Sequence, residues 1–146
     1  MLSAAPAVPS PCAGPIHQVA RTATRARSLA DCALFDVTEA AVAAGFTIPV
    51  AVTCAVYDDC IVWTIQDSRR QVQQDMAGRL RNVLSTLACH ARVKRPKPTR
   101  ELWFQVERVP RNGCSISPQP VWLKALIHAG DAGEAVLTVM LADEED

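Results

Sequence analysis

Few side chains in this sequence have the types and spacing that chemistry requires. Cys89 and His90 supply a thiol and an imidazole, and His128 supplies a second ring further on. Nucleophilic catalysis needs the thiol beside a base that is itself oriented. Neighbours on a helix point about 100° apart, so Cys89 and His90 do not pair readily. They read more simply as a core cysteine and a histidine near a helix end. Cys54 and Cys60 are six residues apart, about 240° round a helix from one another, whereas zinc needs close pairs that converge on one ion. Asp58 and Asp59 are adjacent and diverge in the same way, as a solvated face does. The loop Gly130–Glu134 is rich in glycine but carries acids and joins two strand patterns, which makes it a hairpin turn and not a phosphate cradle. No catalytic residue, metal ligand or cofactor site is expected.

The basic residues leave a clearer pattern. Nine Lys or Arg and a single acid, Asp75, lie between Arg69 and Arg100. On a continuous helix Arg70, Arg81 and Arg92 fall within about 40° of one another, on the side away from the apolar stripe. Lys94, Arg95, Lys97 and Arg100 crowd the proline-rich stretch that follows. Such a surface suits phosphates, which Lys and Arg recognise, or an acidic protein surface, where Arg is favoured. The plain alternative is a solvated outer face. No aromatic residues interleave with these cations, so a stacking platform for single strands is not indicated, and no helix-turn-helix or zinc-finger pattern is present.

Positioning these residues falls first to the stretch Ser68–Pro96, SRRQVQQDMAGRLRNVLSTLACHARVKRP. Val72, Met76, Leu80, Val83, Leu84, Leu87 and Ala91 recur at steps of three and four, which predicts one amphipathic helix roughly 40 Å long. Ser68 with Gln71 suits a capping box, and Pro96 ends the helix. A short helix is expected over 24–31, and another from Asp36, with Glu39 three residues on and Gly45 as the residue after its end. Val50–Val62 combines strand-like residues with apolar positions Val52, Val56, Cys60 and Trp63 at helical spacing, and Pro49 suits a helix start, so a helix is expected there. After the long helix the period changes to two. Leu102, Phe104 and Val106 share a face, as do Val121, Leu123, Ala125 and Ile127, and then Leu137, Val139 and Leu141. The fold expected is α+β, with N-terminal helices and one long helix packed on a three-stranded antiparallel β-meander.

Composition bounds the rest. The chain of 146 residues is 49% apolar with zero formal net charge, enough for one folded domain with its own core. Residues 1–23 read as a disordered Ala/Pro-rich tail, with a transit peptide as the alternative, and 24–146 as the single domain. The basic middle faces an acidic end, Asp143–Asp146, able to screen or compete for what the middle attracts. The six cysteines form no Cys-x-x-Cys pair and are expected as reduced, buried small hydrophobes. No run reaches the ~20 apolar residues that span a bilayer, and a cytoplasmic bacterial protein is expected.

Several segments together resemble an uncharacterised family of small proteins found in bacteria, their plasmids and phages. They are Asp36–Glu39, Gly45–Phe46, Pro49–Thr53, Gly78–Arg79, Gly130–Glu134 and Met140–Asp146, and the resemblance spans about residues 24–146. Cys32 stands where glycine is expected and Tyr57 where tryptophan is usual, departures that concern local packing only. The family has no assigned activity, so the resemblance implies a mobile-element setting and no site residues. The function expected is that of a non-enzymatic interaction protein, modulating or inhibiting a host defence protein, with the partner a protein. The alternatives are a nucleic-acid-binding accessory protein using the basic face, and an enzyme built on Cys89 or a histidine.

Overall fold

The computed structural model describes residues 24–93 and 99–144. Expectations for the tail 1–23, for Lys94, Arg95, Pro96 and Lys97, and for the last two acids lie outside the described residues. The elements run α1 (Arg25–Ala30), β1 (Leu34–Asp36), α2 (Thr38–Ala43), β2 (Val50–Thr53), α3 (Cys54–Val56), a π-helical turn (Tyr57–Ile61), α4 (Ile65–Arg70), α5 (Met76–Ala91), β3 (Glu101–Arg108), β4 (Gln119–Ala129) and β5 (Ala135–Leu141).

The architecture is α+β, but the sheet corrects the expected three-stranded meander. It has five strands in the order β1-β2-β5-β4-β3 and is mixed. β3 pairs antiparallel with β4 and β4 with β5, while β2 runs parallel to β5 and β1 antiparallel to β2. Val50–Thr53 is therefore a strand and not the first turn of a helix. All four of its residues are buried, as expected of a strand covered on both faces, which shows an apolar run and no alternation. Helical spacing holds only beyond it. The Thr53 side chain accepts from the Val56 N–H and starts α3, and the π-helical turn takes over at Tyr57.

The expected 68–96 helix is also corrected: it is two helices. α4 begins at Thr64, whose hydroxyl accepts from Asp67 N–H while the Asp67 carboxylate accepts from Thr64 N–H at 2.8 Å. This is the capping box in place of Ser68 and Gln71. Ser68 instead accepts from the Trp63 indole at 3.1 Å and donates to the Gln74 carbonyl at 3.3 Å. The chain leaves helical geometry at Gln71, and Asp75 caps a fresh start by accepting from Gly78 N–H at 2.7 Å. Val72 lies in the connection, and the 16 residues of α5 span about 24 Å. At the chain's earlier helix, Val37 occupies the cap position without a side-chain bond; Asp36 sits one residue too early for a cap and accepts from Thr38 N–H. Gly45, with φ +104°, follows its end as expected.

One core joins these elements. Val83, Leu84 and Leu87 of α5, Ala41 of α2 and Val56, Cys60 and Ile61 pack on one sheet face, against Val50, Val52, Phe104, Val106, Leu123 and Val139. The hairpin turn 130–134 projects from the far end. Its Asp131 carboxylate accepts from Arg25 N–H at 2.7 Å and Ala26 N–H at 2.9 Å, tying α1 to the sheet. These two bonds hold the Asp131 carboxyl below the usual carboxylate range. Cys54 is disulfide-bonded, against the expectation of reduced thiols. Cys32, Cys60, Cys89 and Cys114 are free, and of these only Cys60 is buried.

Candidate functional site

The break before α5 decides where the basic residues go. Arg70 ends α4, Arg81 projects from α5, Arg92 closes α5 and Arg100 precedes β3. The expected line through Arg70, Arg81 and Arg92 is thus not carried by one helix. Arg81 and Arg92 keep the relation expected of them, eleven residues apart on one helix face, about 16 Å at 1.5 Å per residue. Arg69, Arg70, Arg81, Arg92 and Arg100 are all exposed, and none makes an ion pair among the described residues. Arg27, Arg108 and Arg111 are instead held by Asp31, Asp59 and Asp67. At the acidic end, Glu144 folds back and accepts from the Thr53 hydroxyl and Leu141 N–H, both at 2.7 Å.

Arg79 is the basic residue whose place the charge pattern concealed. It is 4% exposed and stacks on Trp63, 4.5 Å from the ring centre. Its Nη1 donates to Gln74 Oε1 at 2.9 Å and to the Val109 carbonyl at 3.0 Å, and its Nη2 donates to the Asp59 carbonyl at 3.0 Å. Its Nε has no partner. Burial pulls its pKa below the usual arginine value. Beside it, Asp59 takes a bidentate bond from Arg108 and Asp67 takes Arg111 at 2.8 Å. Burial pushes the Asp67 carboxyl up, but the Thr64 and Arg111 bonds outweigh it and hold it below the usual range. Four segments (the π-helical turn, the α4–α5 connection, α5 and the end of β3) are thereby tied together. One signal was legible: Arg79, Val83 and Leu87 are spaced by four, so the apolar period itself points Arg79 inward.

A cavity of about 340 Å³ opens between the start of α5 and the end of β3, lined by Cys60, Asp75, Arg79, Glu107 and Arg108 among others. Asp75 and Arg108 are already engaged, by Gly78 N–H and Asp59. Burial, with Asp59 nearby, pushes the Cys60 thiol up to about 12, so it stays protonated and is no nucleophile. The other reactive types do not converge. Cys89 is exposed, and His90 is occupied by the Thr86 carbonyl at 2.9 Å. His128 lies between Ala129 O and Thr138 Oγ1 on β4 and β5. Among the described residues no group of three or more His, Cys, Asp or Glu is placed to hold a metal ion.

The sheet's other face presents a second feature. Trp103 and Trp122 stand 49% and 52% exposed. Trp103 is opposite Lys124 and Gln105 is opposite Trp122, so the two indoles are diagonal neighbours on one surface. The alternation of Trp103, Gln105 and Glu107 away from the core was readable in the sequence, and β3 keeps the edge position that a meander gives its first strand. Among the described residues no helix is long and apolar enough to cross a membrane. Comparisons of this chain with protein-family models, curated proteins and solved structures find no match.

Proposed function

We propose that this chain is a non-enzymatic interaction protein whose exposed arginines engage an acidic surface on a protein partner. One observation carries the proposal: Arg69, Arg70, Arg81, Arg92 and Arg100 are exposed without an ion pair among the described residues, while neighbouring arginines are matched to carboxylates. Guanidinium groups lose little on leaving water and match carboxylates bidentately, which favours arginine at interfaces. A mobile-element setting, with a host defence protein as the target, belongs to this proposal and rests on the family resemblance alone.

The same residues support a second reading, a nucleic-acid-binding accessory protein. Arg81 and Arg92, about 16 Å apart on one helix face, suit two phosphates of a backbone. The two readings separate in one experiment. Affinity capture from host extract is run with and without nuclease, using the natural chain and a variant carrying Arg81→Gln, Arg92→Gln and Arg100→Gln. A protein partner that survives nuclease and is lost with the variant supports the first reading. Affinity for DNA whose salt dependence falls by about 0.9 per lost phosphate contact supports the second. Capture unchanged by the substitutions refutes both.

A further inference from the structure

We infer that the free edge of β3 pairs antiparallel with the same edge of a second copy of this chain, about a two-fold axis at Phe104. β3 ends the sheet, so one side of its backbone has no strand beside it among the described residues. The Arg100 carbonyl accepts from Ile127 N–H at 2.7 Å and so points to β4. Backbone groups alternate sides along a strand, so Leu102, Phe104 and Val106 also turn theirs to β4. Those of Glu101, Trp103, Gln105 and Glu107 turn outward.

That outward row is closed at its two ends. The Thr99 hydroxyl serves the N–H and the carbonyl of Glu101, at 3.2 and 2.7 Å. Asn82 of α5 donates to the Glu107 carbonyl at 2.8 Å. Trp103 and Gln105 remain, each with an N–H and a carbonyl that make no hydrogen bond among the described residues. This open window is centred on Phe104. A two-fold there sets Trp103 of each copy opposite Gln105 of the other and forms four hydrogen bonds without breaking any existing one. Two-folds at Trp103 or Gln105 would instead require the Thr99 or Asn82 bonds to give way.

Side chains agree with that register. On the outer face the order across the junction becomes Trp122, Gln105, Trp103 of the second copy, Lys124 of the second copy, with the mirror row beside it. The two half-exposed indoles of each copy then form one apolar patch of four across the axis, and aromatic side chains reach such diagonal neighbours. An exposed edge with apolar neighbours is a standing template for strand addition. Just beyond the ladder Glu101 of each copy meets Glu107 of the other, a like-charge pair that limits affinity and that salt screens.

The test is sedimentation and light scattering over a concentration series into the high micromolar range, at low and high salt. The expected result is a monomer–dimer equilibrium about a 15.8 kDa monomer, tightening with salt and with Glu107→Gln. Gln105→Pro removes an N–H that faces away from β4, so the β3–β4 ladder stays and association weakens about thirtyfold, one hydrogen bond per copy. Trp103→Lys, on an exposed side chain, serves if the proline variant melts early. A chain monomeric throughout, or a folded Trp103→Lys variant that dimerises as tightly as the natural one, overturns the inference. So does a dimer that loosens with salt.

Discussion

Arg79→Lys is the most searching substitution for the account of the arginine cluster. The guanidinium reaches three acceptors on three separate segments, Gln74 Oε1, the Val109 carbonyl and the Asp59 carbonyl, at 2.9–3.0 Å. It also lies over the Trp63 ring, 4.5 Å from its centre. Lysine keeps the charge and most of the stem but replaces a planar fork by one point of donation. An ammonium seated near one acceptor leaves two unmet in a largely buried site. Hydrogen bonds from a charged donor contribute about 1.5–3 kcal/mol each. Two lost bonds give about 3–6 kcal/mol, and partial rehydration at the cavity mouth brings the expected loss to about 3 kcal/mol. For a chain of this size that corresponds to a fall in Tm of about 10 °C. Urea unfolding followed by tryptophan fluorescence reads it as a lower midpoint at unchanged slope. A loss under about 0.5 kcal/mol, the scale of an ordinary surface change, would refute the claim that fork geometry and not charge is what Arg79 supplies.

Three further outcomes are expected. Leu84→Asp places a carboxylate at a position 1% exposed between α5 and the sheet, so the variant should fail to fold; a soluble variant with a cooperative melt would count against that packing. The folded-state pKa of Asp131 lies below its unfolded value. The stability it contributes is therefore present above the ordinary carboxylate pKa and is lost as pH falls through the folded value. Asp131→Asn should flatten that acid limb and speed amide exchange in α1 first; an unchanged acid limb would exclude the contact. Thiol labelling of the folded chain at mildly alkaline pH should modify the exposed Cys32, Cys89 and Cys114 and spare Cys60. Labelling of Cys60 at the same rate would contradict its burial.

Local pattern alone determined part of this protein. The strands over Leu102–Val106, Val121–Ile127 and Leu137–Leu141 place an apolar residue at every second position, and that period of two gives each strand one side facing the core. The amphipathic run from Met76 to Ala91 and the turn role of Gly45 were likewise written in single residues and their spacing. Only tertiary structure could make Val50–Thr53 a strand, because it lies between β1 and a parallel partner, β5, that comes more than eighty residues on, and burial on both faces erases the alternation that would reveal it. Only tertiary structure could divide the long periodic stretch, since Ser68 is held by Trp63 and Gln71 by the Pro110–Ser115 loop, against a helical spacing that continues through the break. The basic residues divide the same way. Their number and types are sequence facts, but whether a cation meets solvent, as Arg81 and Arg92 do, or is enclosed against an indole, as Arg79 is, depends on which segments the fold brings around it. Desolvation is set by neighbours in space, and a one-dimensional charge pattern does not contain them.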